Sequence, residues 1–204
     1  MRKRTYFSWL YLHALLLSVI CLCSCASSPK GCVVKGSVKA EGYEGKMVYL
    51  CDPYTPAICD SVLVRDGKFN FDIKESNVDV LLLKLKSSPD DSFPITLPVV
   101  TENGTVKVVL GEVVLTSGTP LNDKLQDFLL AVDRFSDEMS KSGKGIENIR
   151  IEFMHLLETS ILQNRDNPVG GYIFRAYSSR LTPECKAAIF EKVGEEFRKE
   201  IETK

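Results

Sequence analysis

The chain has 204 residues, 44% of them hydrophobic, with 26 Lys or Arg against 27 Asp or Glu and a formal net charge of −1 at pH 7. That length makes one ordinary domain or two small ones, with enough apolar side chain to bury a core. Basic and acidic residues are interspersed, as in Glu195-Glu196-Phe197-Arg198-Lys199-Glu200, and no aromatic-studded basic stripe occurs, which argues against nucleic acid as a partner.

Arg2, Lys3 and Arg4 open the chain, followed by an apolar run from Tyr6 to Leu22 and then Leu22-Cys23-Ser24-Cys25. A basic start, a hydrophobic segment and a small residue before a cysteine make the pattern of a bacterial lipoprotein signal. Cys21 follows Ile20 and Cys23 follows Leu22, both bulky, whereas Cys25 follows the small Ser24. Cys25 is therefore the predicted lipidated residue, with residues 1–24 the signal peptide and 25–31 a tether. The competing reading is an uncleaved anchor, since Thr5 to Pro29 carries no Asp, Glu, Lys or Arg and is long enough to span a bilayer. Ser8, His13 and Ser18 interrupt that segment, and the pattern at its end favours lipidation. Cleavage would remove three basic and no acidic residues, taking the net charge to −4. Surface-displayed lipoproteins commonly carry acidic residues just after the lipidated cysteine. Here Ala26-Ser27-Ser28-Pro29-Lys30 follows, so the expected location is the cell envelope, at the outer membrane facing the periplasm.

Residues 32–117 read as short strands and tight turns. Lys68-Phe69-Asn70-Phe71-Asp72-Ile73 alternates polar and apolar, which puts Phe69, Phe71 and Ile73 on a core face. Asp66-Gly67 before it and Asn103-Gly104 further on are two-residue hairpin signals. Adding Val33–Ala40, Met47–Asp52, Ser61–Arg65, Val80–Lys86, Ile95–Val100 and Val106–Leu110 gives about seven strands at regular spacing. An antiparallel β-sandwich is expected.

Residues 118–204 change period. Thr119-Pro120 reads as an N-cap followed by proline in the first turn, and Leu121, Leu125, Phe128, Leu129, Val132, Phe135 and Met139 recur at helical spacing. A loop from Ser140 to Gly145 precedes a second helix through Ile146, Ile149, Phe153, Leu157 and Ile161. Asn167-Pro168 starts a third helix and Thr182-Pro183 a fourth, running through Cys185, Ile189, Val193, Phe197 and Ile201. Strands followed by about four helices place the fold in the α+β class.

Gly45-Lys46-Met47-Val48-Tyr49-Leu50, Cys59-Asp60-Ser61-Val62, Asp66-Gly67-Lys68-Phe69-Asn70-Phe71 and Gly118-Thr119-Pro120-Leu121-Asn122-Asp123 together resemble an uncharacterised N-terminal domain of Gram-negative lipoproteins. In that family the domain sits between the lipid anchor and a thioredoxin-like disulfide reductase domain. Asn164-Arg165-Asp166-Asn167-Pro168-Val169-Gly170-Gly171 and Leu181-Thr182-Pro183-Glu184 resemble its helical connector. The resemblance transfers no catalytic residue, because the chemistry belongs to the thioredoxin part, and this sequence carries no Cys-x-x-Cys after a strand. It implies a non-enzymatic docking module, for which a separately encoded thioredoxin-like protein is the partner to test. Two other readings stand beside it: a thiol-active redox protein using Cys185 or the Cys51/Cys59 pair, and a truncated relative with a structural role.

Cys51 and Cys59 flank a loop between neighbouring predicted strands. A disulfide there would stabilise by about 2.5 kcal/mol in the chain-entropy picture, and two packed free thiols are the alternative. Cys185 falls in the first turn of the fourth helix, where helix amides and dipole would lower a thiol pKa. A small buried hydrophobe in register with Ile189 is the other reading. Asp60-Ser61-Val62 fits a short pattern that some Gram-negative bacteria glycosylate, so Ser61 is a candidate modification site. His155, the one histidine past Cys25, matches half of a di-iron motif with Glu152 but lacks the second copy. No metal or cofactor is predicted. Gly143-Lys144-Gly145 lacks the spacing of a phosphate loop and reads as a connection.

Overall fold

The computed structural model describes residues 31–74, 77–88 and 90–203. Eight strands come first: β1 (Cys32–Val38), β2 (Met47–Cys51), β3 (Ile58–Leu63), β4 (Lys68–Ile73), β5 (Val80–Leu85), β6 (Ile95–Val100), β7 (Gly104–Leu110) and β8 (Leu115–Ser117). Five α-helices follow: α1 (Pro120–Lys141), α2 (Ile146–Gln163), α3 (Pro168–Ala176), α4 (Pro183–Lys192) and α5 (Glu195–Thr203), with a 3₁₀ turn at Ser178–Arg180. The fold is α+β.

The strands form two four-stranded sheets, ordered β4-β1-β7-β8 and β3-β2-β5-β6. Their inner faces make the first core, in which Val34, Leu50, Phe71, Leu83, Leu97 and Val106 are buried. The alternation in β4 is as the sequence predicts, with Phe69 and Phe71 buried and Lys68, Asn70 and Asp72 exposed. Every strand pair is antiparallel except β1 and β7, which run parallel. Sequence periodicity does not encode strand direction, so that pair was not foreseen. Nor was β8, which is too short for a period-2 signal and is set by its pairing with Lys107–Val109 of β7.

Both turn signals act differently from simple hairpins. Asp66 and Gly67 take φ 51° and 64°, and Arg65 and Lys68 exchange both backbone hydrogen bonds at 2.9 Å, as a two-residue turn requires. Yet β3 and β4 belong to different sheets, so the turn makes a corner of the sandwich. The Glu44 carboxylate accepts from the amides of both turn residues at 3.0 Å. Asn103-Gly104 is not a hairpin turn: β6 and β7 lie in different sheets. Asn103 Oδ1 instead accepts from the Gly31 amide at 3.1 Å, and the Gly104 amide donates to the Gly31 carbonyl at 3.0 Å. That side chain closes the start of β1 onto the start of β7.

A second core, with Leu125, Phe128, Leu157, Ile161, Ile173 and Ile189 buried, lies among the helices and takes in Val80 and Val100 from one end of the sandwich. Leu129 packs against both cores. The predicted fourth helix is two. Val193 is extended at φ −107° and ψ 153°, and the Gly194 carbonyl accepts from the Arg198 amide to start α5. Breaking the helix there buries Val193 and Phe197 in the second core. A continuous helix would carry Phe197 to a different bearing.

Candidate functional site

The predicted lipid attachment at Cys25, the signal segment and nearly all of the tether lie outside the described residues. Among the described residues, no helix is long and apolar enough to cross a membrane.

β2 and β3 bring Cys51 and Cys59 close without bonding them; both are free thiols here. The register slips beside them, with Leu50 opposite Asp60 but Cys51 opposite Ile58. Cys59 is the extra residue of this bulge and points outward, whereas Cys51 is buried. Burial pushes the Cys51 thiol above its ordinary value, with Lys84 and Lys86 pulling it back and Cys59 adding to the rise. Cys185 does sit in the first turn of α4, where its amide donates to Thr182 Oγ1 at 3.2 Å. Its thiol is nonetheless raised, by burial first and the Glu158 charge second, against Lys192. Surroundings that raise a thiol pKa leave less thiolate at neutral pH. Burial and the Glu158 charge thus act against the lowering expected from the helix terminus at Cys185.

Ser61 and its neighbour Asp60 are exposed on β3, an edge strand; the Ser61 amide donates to Asp60 Oδ1 at 2.7 Å. His155 is exposed on α2, with its Nδ1 3.2 Å from Thr159 Oγ1. Glu152, its partner in the half-motif, receives Lys144 Nζ at 2.6 and 2.7 Å. No cluster of three or more His, Cys, Asp or Glu suited to a metal occurs among the described residues.

Two polar junctions that the sequence reading missed join the sandwich to the helices. Thr119 occupies the N-cap of α1, but its hydroxyl makes no capping bond to the backbone; it accepts from Asn122 Nδ2 at 2.8 Å. Glu102, just past β6, takes over the capping role, its carboxylate receiving the Leu121 and Asn122 amides at 2.5 and 3.2 Å. Asn122 is fully buried and also accepts from Thr116 Oγ1 at 2.9 Å. The second junction is the β2–β3 loop, where Asp52 Oδ1 holds the amides of Tyr54 and Thr55 at 2.8 Å. This fixes Tyr54 against α3, with the Arg175 guanidinium 4.0 Å from the ring centroid. Arg175 in turn donates to the Glu200 carbonyl of α5 at 2.9 Å. The sequence predicts a loop between Cys51 and Cys59 but gives no signal for its helical partner.

The C-terminal half of α1 and the N-terminal half of α2 border an apolar groove of about 600 Å³. Phe135 and Phe153 meet at 5.2 Å between ring centroids, Phe153 and Tyr177 at 5.9 Å, and Tyr177 and Phe128 at 5.5 Å. This ladder of rings runs from the groove into the second core.

Comparison with protein families places one region. Residues 32–125 match DUF4369, a domain of unknown function. The DUF4369 match does not stop at Ser117, the end of β8, but runs into α1 as far as Leu125. It thereby includes Thr119 and Asn122, so the helix start that the sandwich clamps belongs to the DUF4369 region. No curated protein matches the chain.

Proposed function

We propose that this chain is a lipid-anchored cell-envelope protein, tethered through Cys25, whose DUF4369 region and helices form a rigid platform that docks a protein partner. The observation that carries this reading is the pairing of a locked base with an open apolar face. Asn122 and Glu102 hold α1 to the sandwich, while the far half of α1 lines the groove with α2. Fixed geometry reduces the ordering cost of binding, and an apolar face supplies the driving force. The resemblance to lipoproteins that carry thioredoxin-like domains makes a separate thioredoxin-like protein the partner to test first. The outer membrane, facing the periplasm, is the proposed location.

Palmitate labelling of growing cells tests the anchor: the wild-type chain incorporates label and Cys25→Ala does not. Capture of a thioredoxin-like envelope protein by the Cys59→Ser/Cys185→Ala variant tests docking. Retained capture supports it, and loss of capture in that variant alone would instead favour thiol chemistry.

A further inference from the structure

The groove between α1 and α2 has the form of a seat for a missing helix. Val132, Phe135, Ser136 and Met139 stand at i, i+3, i+4 and i+7 on α1, and Ile146, Ile149, Arg150 and Phe153 repeat that spacing on α2. Residues so spaced share one helix face. Both faces open onto the same cavity, so two apolar stripes converge where a bundle would place its next helix. Each stripe covers eight residues, a length of about 10 Å, which matches roughly two turns of an occupant helix. Ile146 is 85% exposed at the mouth and extends the ring-lined groove into one contiguous apolar surface.

Charge and position narrow the occupant. The charged residues lining the groove are Arg150 and Arg180. Arg150 contacts Glu147 at 3.4 Å, with both side chains more than 60% exposed, a pair that solvent weakens and a better-placed carboxylate would displace. The lining is otherwise apolar or hydroxyl-bearing, so the complementary ligand is apolar along one face and acidic along its flanks. The chain enters the sandwich at Gly31, which bonds Asn103 and Gly104. Gly104 lies beside Thr119, whose methyl is 3.0 Å from where a Cβ on Gly104 would stand. Gly31 therefore lies toward the N-terminal end of α1, a helix about 33 Å long, and the groove occupies the other end. A partner can approach it without competing with the anchor.

From this geometry we infer that the α1–α2 groove receives an acidic amphipathic helix of a partner protein, with apolar anchors at i, i+3, i+4 and i+7 and carboxylates paired to Arg150 and Arg180. The inference rests on the docking reading above, and supplies the surface and the partner chemistry that reading leaves open.

The test uses the full lipidated chain on zwitterionic liposomes and a fluorescent 18-residue helical peptide, with leucine at the four anchor spacings in a Glu/Ala background. An otherwise identical Lys/Ala peptide and protein-free liposomes are the controls. Co-flotation should show saturable binding of the acidic peptide and at least tenfold weaker binding of the basic one, with the difference shrinking as salt is raised. Arg150→Glu/Arg180→Glu should reverse the preference. Ile146→Asp should weaken binding at least tenfold while leaving the thermal unfolding midpoint unchanged, since Ile146 contributes little to the core. Equal affinity for the two peptides, or binding that ignores both variants, overturns the inference. So does a dimer that Ile146→Asp dissociates, which would make a second copy the occupant, and so does binding of dodecanoate without binding of the peptide. A thioredoxin-like protein that still binds when the peptide does not would reject only the groove. Peptide binding without capture of such a protein would reject only that partner.

Discussion

Asn122 and Val100 exchange two hydrogen bonds, the Val100 amide donating to Asn122 Oδ1 at 2.9 Å and Asn122 Nδ2 donating to the Val100 carbonyl at 2.8 Å. A side-chain amide thereby satisfies the last residue of an edge strand as a neighbouring strand would. The same residue stands in the first turn of α1, so the sheet and the helix share one hydrogen-bonded unit.

Replacing Asn122 by Ala strands the amide and carbonyl of Val100 in a buried site and removes the partner of Thr116. A loss of about 3 kcal/mol is expected, read as a lower urea midpoint. Asn122→Asp should be no better, because it keeps the acceptor but loses the donor to Val100 and buries a charge. An unchanged midpoint in Asn122→Ala would show that the junction does not support the fold.

Gly36 lies directly opposite Phe69 across β1 and β4, and a Cβ at Gly36 would stand 1.9 Å from the Phe69 ring. The ring covers the glycine and cannot move outward without opening the core. Gly36→Ala should cost about 2–3 kcal/mol through overpacking, measured by urea unfolding. Shortening the ring with Phe69→Leu in the same chain should recover part of that loss, whereas simple additivity of the two changes would refute the contact.

Alkaline pH should destabilise the fold ahead of any chemical damage. Burial, then the Glu102 charge, raises the Cys32 thiol from 9.0 to about 11; burial raises Tyr54 from 10.0 to about 12 against the pull of Arg175. In both cases the unfolded chain releases its proton at lower pH than the folded one. The stabilisation is complete below pH 9 and is lost as pH rises through 9 to 12, by at most about 1.4 kcal/mol per pH unit for each group. Unfolding free energies measured from pH 8 to 11 should decline, and less steeply in Cys32→Val. A flat profile would contradict the burial of these groups.

Cys59 should be the fastest thiol in the native protein to react with a disulfide reagent. It is exposed, while Cys32 and Cys51 are buried and Cys185 is half-buried. Cys59→Ser should abolish the fast phase. If the oxidised wild type lacks that phase and gains two thiols on reduction, then Cys51 and Cys59 are bonded in the oxidised protein.

Periodicity and turn chemistry in the sequence were enough to give the α+β class, the change from strands to helices near Gly118, the inward set Phe69 and Phe71, and the caps of α3 and α4. These are local properties, since a two-residue or four-residue repeat and a capping side chain act within one element. Only the tertiary structure decided which strands share a sheet, why Asp66-Gly67 turns a corner while Asn103-Gly104 ties down Gly31, and where the last helical segment breaks. It also decided that Glu102 rather than Thr119 caps α1, that burial raises Cys185 despite its helix terminus, and that the stripes of α1 and α2 face a common groove. Each of these depends on residues distant in sequence meeting in space, and neither composition nor spacing records such meetings. The proposed lipidation of Cys25 is the reverse case: it rests on the sequence alone, because a signal of this kind is defined by the local order of residue types and not by a fold.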